Sequence, residues 1–327
     1  VYMSRLGART AFATALGDDV PFSLGIAARL AREGVEIDLV VRAEERLPGL
    51  YAITRDAAGE RSFYYWRGEA PARDYLALAD LDVLARSLKA ADLIYLTAIT
   101  LAVVGTAGRE VLLPILTEVA EAGVAVAFDT NYRTALWPSS REALSAVEAV
   151  LPHCRYLSLG AADLAAMNAG PAHDFAARWA DAGLEVVLRE ESHRLTVLTG
   201  AAREISAPEA SIPAVDTTGA GDAFNAAYLG ARRAGGTVAQ AIGAAALRGG
   251  RAASRGNYFP RCHADGHGNR MRGGRGPARA DEGGGRPGRP DSAANIRLSR
   301  RTLVQRPGRT RVPCLGRVNR RRRRAAV

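Results

Sequence analysis

Short apolar runs alternate with segments in which apolar residues recur at helical spacing through most of the chain. Apolar runs bounded by turn residues predict buried strands, and apolar residues spaced three and four apart predict amphipathic helices. The predicted strands are residues 10–16, 35–41, 49–55, 61–67, 92–97, 124–128, 156–159, 185–188, 195–199 and 204–205. The predicted helices are residues 22–33, 78–90, 107–122, 141–150, 161–168, 172–182, 225–234 and 241–247.

The order of these elements predicts the fold class. From residue 74 onward strands and helices alternate, whereas three strands without an intervening helix fall between residues 35 and 67, as an inserted lid would. Strands separated by helices of this length form a parallel sheet covered on both faces, and ligands bind at the carboxyl ends of such strands. We therefore predict an α/β domain with three layers, a mostly parallel sheet and a small β lid at about residues 35–70.

Residues 216–224 have the sequence Asp-Thr-Thr-Gly-Ala-Gly-Asp-Ala-Phe, between an extended segment and a predicted helix. Two glycines around an alanine leave backbone N–H groups open, and the helix that follows adds the positive end of its dipole, so this turn should bind a phosphate. Asp222 stands where that helix begins. A carboxylate there would repel phosphate unless it accepts a proton from a hydroxyl that attacks phosphorus. The pattern therefore favours a kinase.

These nine positions resemble the second signature of the ribokinase-like (PfkB) carbohydrate kinases. A capped helix after a glycine turn would explain one Gly and one Asp, but not nine positions in order. The resemblance implies a three-layer αβα ribokinase-like fold that uses ATP and Mg²⁺. It also implies that Asp222 is the catalytic base and that the amides of Gly219, Ala220 and Gly221 form the anion hole. Thr218 belongs to the same cofactor-binding segment.

A second candidate site follows the predicted strand 124–128, where Asp129, Asn131 and Arg133 enter a loop. A helix-capping aspartate and a solvated arginine would be the structural explanation. Within the family, Asp-x-Asn-x-Arg followed by Leu-Trp resembles the 2-keto-3-deoxygluconate kinases. The resemblance implies that Asn131 and Arg133 bind the substrate.

The predicted strand 61–67 carries four consecutive aromatic residues. Alternation along a strand places Phe63 and Tyr65 on one face and Tyr64 and Trp66 on the other. Exposing both faces would be costly, so one face should close on substrate or on a second subunit. Packing of the hairpin on its own domain is the alternative. We expect a homo-oligomer, formed as a dimer through the lid.

Within the resemblance, Tyr51, Tyr65 and Arg67 look like the substrate contacts of a lid that is specific for sugar acids. Two arginines that converge on a site suit a carboxylate, because the planar guanidinium matches two oxygens. Together with Arg133 this implies ATP-dependent phosphorylation of a sugar acid, 2-keto-3-deoxygluconate to its 6-phosphate. A fructokinase-like or other neutral-sugar kinase is the alternative. The expected partners are small molecules, without a membrane or a specific nucleic acid.

Several family features are altered or missing. Gly160-Ala161-Ala162-Asp163 stands where an Asn- or Ser-x-x-Glu group for magnesium is expected, which leaves Asp163 as the metal candidate. Residues 188–194 lack the glycines of a nucleotide loop, and residues 241–247 lack an Asn for adenine. The family's first strand would lie before Val1. A catalytically inactive fragment is therefore a further alternative.

Charge divides the chain of 327 residues into two parts. Residues 249–327 contain 21 Arg and 4 acidic residues, whereas residues 1–248 carry a net negative charge. The basic segment lacks apolar periodicity, so we expect a kinase domain at 1–248 and a disordered tail at 249–327. This tail would bind polyanions nonspecifically. Our preferred hypothesis is a frameshift, since a shifted frame of residues 255–259 can encode Gly-Ala-Ile-Ile-Ser, which resembles the family's closing strand.

The cysteine pattern and the absence of a predicted leader bear on location. Cys154, Cys262 and Cys314 show neither metal nor disulfide spacing, as expected of reduced thiols, and we expect Cys154 to be buried. The longest uncharged run, residues 93–108, is too short to cross a bilayer. We therefore expect a cytoplasmic protein.

Overall fold

A six-stranded sheet with helices on both faces forms the centre of the protein. The computed structural model describes residues 1–18, 20–55, 61–190, 194–206 and 219–255. Within these residues the strands are β1 (Thr10–Ala11), β2 (Thr14–Gly17), β3 (Val35–Glu36), β4 (Val40–Ala43), β5 (Leu50–Arg55), β6 (Arg61–Trp66), β7 (Leu93–Thr97), β8 (Ala125–Asp129), β9 (Tyr156–Gly160), β10 (Glu185–Arg189), β11 (Leu195–Thr199) and β12 (Ala202–Ser206). The α-helices are α1 (Tyr2–Arg5), α2 (Pro21–Arg32), α3 (Tyr75–Leu78), α4 (Leu81–Lys89), α5 (Ala98–Glu121), α6 (Ser140–Val150), α7 (Ala161–Ala166), α8 (Ala172–Asp181), α9 (Ala220–Arg233) and α10 (Val238–Arg255).

The strand order of the central sheet is β12-β11-β10-β9-β8-β7. Strands β7 to β10 run parallel, and β11 and β12 complete the sheet as the predicted antiparallel hairpin. Asp129 at the end of β8 is level with Thr97 of β7 and with Ser158 of β9. Arg189 at the end of β10 is level with Gly160 of β9. The polar residues at these strand ends therefore lie side by side along the carboxyl ends of the parallel strands.

Side chains alternate between the two faces of each strand and so build two apolar clusters. On β8, Val126 and Phe128 join the cluster covered by α5, α6, α7 and α8. Ala127, between them, joins the opposite cluster, which α9 and α10 cover. The predicted three-layer αβα arrangement is confirmed.

Helix α5 is long and apolar enough, by length and composition alone, to cross a membrane. Its buried residues, including Leu101, Leu116 and Val119, belong to the cluster on the sheet. Thr97 caps its first turn, and Gly105 breaks the helix with non-helical dihedral angles. We interpret α5 as a helix that covers the sheet, because its buried side chains pack in this cluster and the core helix of a globular fold can have the same length and composition.

Two predicted strands are divided in the structure. The predicted strand 10–16 forms β1 and β2, and the predicted strand 35–41 forms β3 and the start of β4. The reason is strand pairing, because β1 pairs with β3 whereas β2 pairs with β4. Each of the two segments must therefore bend between its two strands. Strands β3 and β4, which replace the first predicted strand of the lid, thus pair with the N-terminal segment.

Several helix boundaries also differ from those predicted: α5 begins at Ala98 rather than at residue 107, and α9 begins at Ala220 rather than at residue 225. The segment 78–90 contains α4 only from Leu81, because the Asp80 side chain accepts hydrogen bonds from the backbone N–H groups of Asp82 and Val83 and caps the helix there. Helix α10 continues to Arg255, so residues 249–255 of the predicted tail are helical. The remainder of that tail lies outside the described residues.

Candidate active site

The carboxyl ends of β8 and β10 bring Asp129 and Arg189 into direct contact. Nη2 of Arg189 lies 2.6 Å from Oδ1 of Asp129, which is 2% exposed. An ionised carboxylate at that depth requires a charged or hydrogen-bonding partner, and Arg189 supplies the opposite charge. The two strands are each next to β9, so the parallel sheet itself sets the distance between these residues.

Asn225 of helix α9 connects this ion pair to neighbouring strands. Its Nδ2 lies 2.9 Å from Oδ2 of Asp129 and 3.1 Å from the hydroxyl of Tyr95. The hydroxyl of Ser158 donates to Oδ1 of Asn225 over 2.9 Å. Burial raises the pKa of Tyr95, and the negative charge of Asp129 adds to the rise, so this hydroxyl stays protonated. We refer to Tyr95, Asp129, Ser158, Arg189 and Asn225 as the Asp129 cluster.

The predicted anion turn leads into helix α9. Gly219 is the N-cap residue and has a φ of 76° and a ψ of 5°, a left-handed conformation that glycine adopts at little cost. Ala220 begins the helix, so the amides of Ala220 and Gly221 belong to its unpaired first turn. A Cβ atom on Gly221 would lie 3.0 Å from Nη1 of Arg189. The predicted cofactor residue Thr218 lies outside the described residues.

Asp222 lies in the first turn of α9, next to the Asp129 cluster, and solvent reaches it. Protein atoms around the carboxyl raise its pKa above the usual range of an aspartate, and the charge of Asp129 raises it further. The positive charges of Arg189 and Arg133 oppose that rise. A carboxylate that is accessible and has a raised pKa is suited to accept a proton.

Arg133 and Asn131 lie in the loop that follows β8, as predicted. Nη1 of Arg133 donates to the backbone carbonyl of Tyr132 over 2.8 Å, and the side chain is otherwise exposed. Its charge reaches Asp222, as the effect on the pKa of that carboxyl indicates. Asn131 has a positive φ of 24°, which is unusual for a residue with a side chain. Such backbone strain is often found at functional sites.

Asp163 of helix α7 lies at the end of the neighbouring strand β9. The hydroxyl of Thr130 donates to its Oδ2 over 2.9 Å, and the backbone N–H of Tyr132 also donates to the carboxylate. Burial is the largest influence on this carboxyl and raises its pKa. Across the described residues, no group of three or more His, Cys, Asp or Glu side chains is arranged to hold a metal ion. Asp163 is thus a single carboxylate that retains unused lone pairs.

The lid residues form a separate group on the β5–β6 hairpin. Tyr51 and Tyr65 are directly opposite each other in the register. The Arg67 guanidinium lies 5.3 Å from the centre of the Tyr51 ring, a cation–π distance. Tyr64 and Trp66 are 52% and 60% exposed, so this face of the hairpin does not pack on its own domain. The turn at residues 56–60 lies outside the described residues.

None of the five members of the Asp129 cluster is among the site residues predicted from the sequence. The sequence pattern indicates Asp129 only as an acid at a strand end and Arg189 only as part of a segment without glycine. A signal was present for both, because each directly follows a buried apolar run and the ends of parallel strands meet. Tyr95 and Asn225 carried no comparable signal, since each sits inside a strand or helix and its polar partners are distant in sequence.

The αβα fold, with a glycine turn that leads directly into a helix bearing an aspartate in its first turn, is typical of a kinase of small molecules. Comparison with known families agrees, since the model described as pfkB family carbohydrate kinase matches residues 1–256. The chain therefore belongs to the pfkB family of carbohydrate kinases and is a sugar kinase, as the resemblance implied. The ribokinase-like fold prediction and the prediction of an enzyme are both confirmed.

The chain is similar to several characterised members of the family. It is 39% identical to a 2-dehydro-3-deoxygluconokinase from Dickeya dadantii over 236 residues, which cover 70% of this chain and 76% of that protein. It is 30% identical to a fructokinase-1 from Zea mays over 237 residues, which cover 70% of each chain. The crystal structure of a 2-dehydro-3-deoxygluconokinase from Thermotoga maritima superimposes with a TM-score of 0.67 at 21% identity, covering 77% of this chain and 82% of that chain.

Proposed function

We propose that this sugar kinase transfers the γ-phosphoryl group of ATP to a hydroxyl of a sugar acid, 2-keto-3-deoxygluconate, and forms its 6-phosphate. The observation that carries the proposal is the position of Asp222, in the first turn of α9 and within the electrostatic reach of Arg133 and Arg189. The higher identity to a 2-dehydro-3-deoxygluconokinase than to a fructokinase supports the acid over a neutral sugar.

Asp222 would act as the base. It accepts the proton of the substrate hydroxyl while that oxygen forms a bond to the γ-phosphorus, and the bond from the γ-phosphorus to the bridging oxygen breaks to release ADP. The amides of Gly219, Ala220 and Gly221 would donate to the phosphoryl oxygens as charge accumulates on them. These donors need no reorganisation during the step, because the helix holds them in place.

The sugar acid would be oriented by arginines. Arg133 stands on the loop after β8 and Arg67 on the hairpin, and each guanidinium offers a planar pair of donors to a carboxylate. Asn131 would hydrogen-bond a sugar hydroxyl. Tyr51 and Tyr65 would contact the substrate from the lid, with the Tyr51 ring holding Arg67 in place.

Magnesium fits this site as a companion of the nucleotide. Mg²⁺ is commonly held by one or two carboxylates together with substrate phosphates and water, and the half-buried Asp163 supplies one carboxylate with free lone pairs. The ion would neutralise charge on the phosphates of ATP. Asp163 would hold it on the protein side.

A panel of acceptors tests the proposal. The full chain is mixed with Mg²⁺, ATP and one acceptor at a time, ADP release is followed, and the product is identified by phosphorus NMR. We expect 2-keto-3-deoxygluconate to be phosphorylated with a kcat/KM at least about tenfold above that of fructose or ribose, the difference that one lost charged contact produces. A preference for fructose would instead establish the neutral-sugar alternative.

We further propose that the chain is a cytoplasmic homodimer formed through the hairpin. The exposed side chains of Leu50, Tyr64 and Trp66 lie on the same face of β5 and β6, which would leave an apolar surface in water. Light scattering of the wild type and of the Trp66→Ser variant tests this. A wild-type monomer at micromolar concentration would exclude the dimer.

The charge of the tail favours a second candidate function, nonspecific polyanion binding. Binding of ATP and of heparin by the full chain at rising salt concentration separates the two. Heparin binding through the tail should fall steeply with salt, and nucleotide binding should not. If the full chain fails to bind ATP but retains heparin, the inactive-fragment alternative is correct.

A further inference from the structure

Arg189 has donors that its ion pair does not use. Nη2 is hydrogen-bonded to Asp129, whereas Nη1 lies 3.0 Å from the position that a Cβ atom on Gly221 would occupy. Nε is buried and has no hydrogen-bond partner among the residues that the structure describes. A guanidinium carries five N–H donors, and a buried donor without a partner costs free energy. The orientation of this side chain is therefore not explained by Asp129 alone.

Negative charge lies close to the anion turn, residues 219–221. Asp129 and Asp222 both lie close enough for the first to raise the pKa of the second, so the turn is flanked by two carboxylates. Amides and a helix dipole carry only partial charges, and a phosphate beside two carboxylates would be repelled. Arg133 is exposed in the loop that follows β8, whereas the guanidinium of Arg189 lies beside Gly221 of the turn.

We propose that Arg189 is a catalytic residue that contacts the terminal phosphoryl group of ATP. Asp129 holds one side of the guanidinium, and Nη1, beside Gly221, donates to a phosphoryl oxygen bound at the turn. A glycine at 221 leaves the space in which that oxygen and Nη1 meet, since a Cβ there would lie 3.0 Å from Nη1. The inference rests on the proposed function only in placing the terminal phosphoryl at this turn.

A purely structural ion pair would have different consequences. If Arg189 served only to neutralise Asp129, removing both charges together would restore the site, because no unpaired buried charge would remain. If Arg189 contacts the terminal phosphoryl group, the affinity for nucleotide stays reduced when both charges are removed. The reduction is also confined to nucleotides that carry that phosphoryl group.

Isothermal titration of the full chain with two nucleotides tests the proposal. The ligands are the ATP analogue with an imido bridge, AMP-PNP, and ADP, both with Mg²⁺. In Arg189→Gln we expect AMP-PNP to bind about tenfold or more weakly, the effect of losing one charged hydrogen bond, and ADP to bind within about twofold of wild type. Equal weakening of both nucleotides, or no weakening of either, would overturn the proposal.

Two further variants guard against misfolding. Asp129→Asn/Arg189→Gln leaves no buried charge unpaired, and we expect it to remain about tenfold weaker for AMP-PNP, whereas recovery of wild-type affinity would assign Arg189 a structural role. Arg203→Gln is the matched control, because Arg203 is exposed on the edge strand β12 and the substitution changes the net charge equally. It should bind both nucleotides as the wild type does.

The outcomes also separate this inference from the proposed function. If the wild type binds AMP-PNP and phosphorylates the sugar acid while Arg189→Gln binds normally, only the inference fails. If Arg189→Gln discriminates between the two nucleotides but no sugar acid is phosphorylated, only the choice of acceptor fails. If the wild type binds neither nucleotide, both fail.

Discussion

The side-chain amide of Asn225 lies 2.9 Å from the Asp129 carboxylate, although 96 residues separate them in sequence. The same amide group also accepts from Ser158, so one buried side chain joins helix α9 to strands β8 and β9. Replacement of Asn225 by Leu would leave the hydroxyl of Ser158 without its acceptor. It would also remove a hydrogen bond that the buried carboxylate of Asp129 accepts. Buried groups left unsatisfied cost about 1–3 kcal/mol each.

We therefore expect Asn225→Leu to lower the free energy of unfolding by about 2–4 kcal/mol, and Ser158→Ala to lower it by about 1 kcal/mol. Urea denaturation measures both. The order of the two variants is the critical result, because Ser158→Ala leaves the contact with Asp129 intact. Equal stability of Asn225→Leu and wild type would show that the Asp129 cluster contributes nothing to folding.

A second buried ion pair fixes the other end of helix α9. Arg232 contacts Glu185 through Nε at 2.8 Å and Nη2 at 2.6 Å, and the hydroxyl of Tyr228 donates to the same carboxylate. Removing one partner of a buried pair costs about 3–5 kcal/mol, and we expect Arg232→Met to approach the lower end of that range because Arg232 is partly exposed. The exposed pair of Arg178 and Glu148 provides the control.

For Arg178→Met the expected loss of stability is about 0–1 kcal/mol, since both partners are in contact with water. Chemical denaturation of the two variants under the same conditions gives the comparison. A similar loss in both would mean that burial of Glu185 does not strengthen its pairing with Arg232.

The proposed role of Asp222 as the catalytic base predicts a specific loss of turnover. Asp222→Asn keeps the shape of the side chain but cannot accept the proton, so kcat should fall by at least about a hundredfold, within the usual range for a general base. Binding of Mg²⁺ and ATP should change little. Asp174→Asn is the control, because Asp174 is exposed in the first turn of α8. Turnover near that of wild type in Asp222→Asn would refute the assignment.

The raised pKa of Asp222 predicts the pH dependence of catalysis. The base acts when it is unprotonated, so kcat/KM should fall as the pH falls through the raised pKa, at a higher pH than for an ordinary aspartate. The charged groups that act on it are Asp129, which raises the pKa, and Arg189, Arg133 and the amino terminus, which lower it.

Replacement of Arg133 should therefore shift the acidic limb of the profile of kcat/KM against pH to a still higher pH. Arg133→Gln removes one of the positive charges that favour the ionised carboxylate, so the fall in kcat/KM should begin at a higher pH than in wild type. Arg141→Gln, at an exposed position of helix α6, should leave the profile unchanged. An identical limb in wild type and Arg133→Gln would show that Arg133 does not influence the base.

The sequence was sufficient to predict the layers of the fold and the position of Asp222. Both depend on local patterns, namely the alternation of strands with helices and a turn whose glycine at 219 takes a left-handed conformation. The Asp129 cluster could not be predicted in the same way. Its contacts join residues 34 to 130 positions apart, and only the register of β8, β9 and β10 decides which strand-end side chains meet.

The divided strands near the N-terminus illustrate the same limit. Residues 10–16 are apolar enough for one strand, yet β1 and β2 have different partners, and the pairing partner is not encoded in the local pattern. Conversely, Asp80 is a strong local signal for a helix start that the apolar spacing of 78–90 concealed.

Cys154 is buried, as the sequence led us to expect, and this predicts a slow reaction with thiol reagents. Burial raises the pKa of its thiol to about 12, so the reactive thiolate is scarce at neutral pH. In a Cys262→Ser/Cys314→Ser background, iodoacetamide should modify Cys154 only as fast as the protein unfolds, and addition of urea should accelerate the modification steeply. Mass spectrometry of the labelled chain over time gives the rate. Rapid stoichiometric labelling without urea would contradict the burial of Cys154 in the apolar cluster on the sheet.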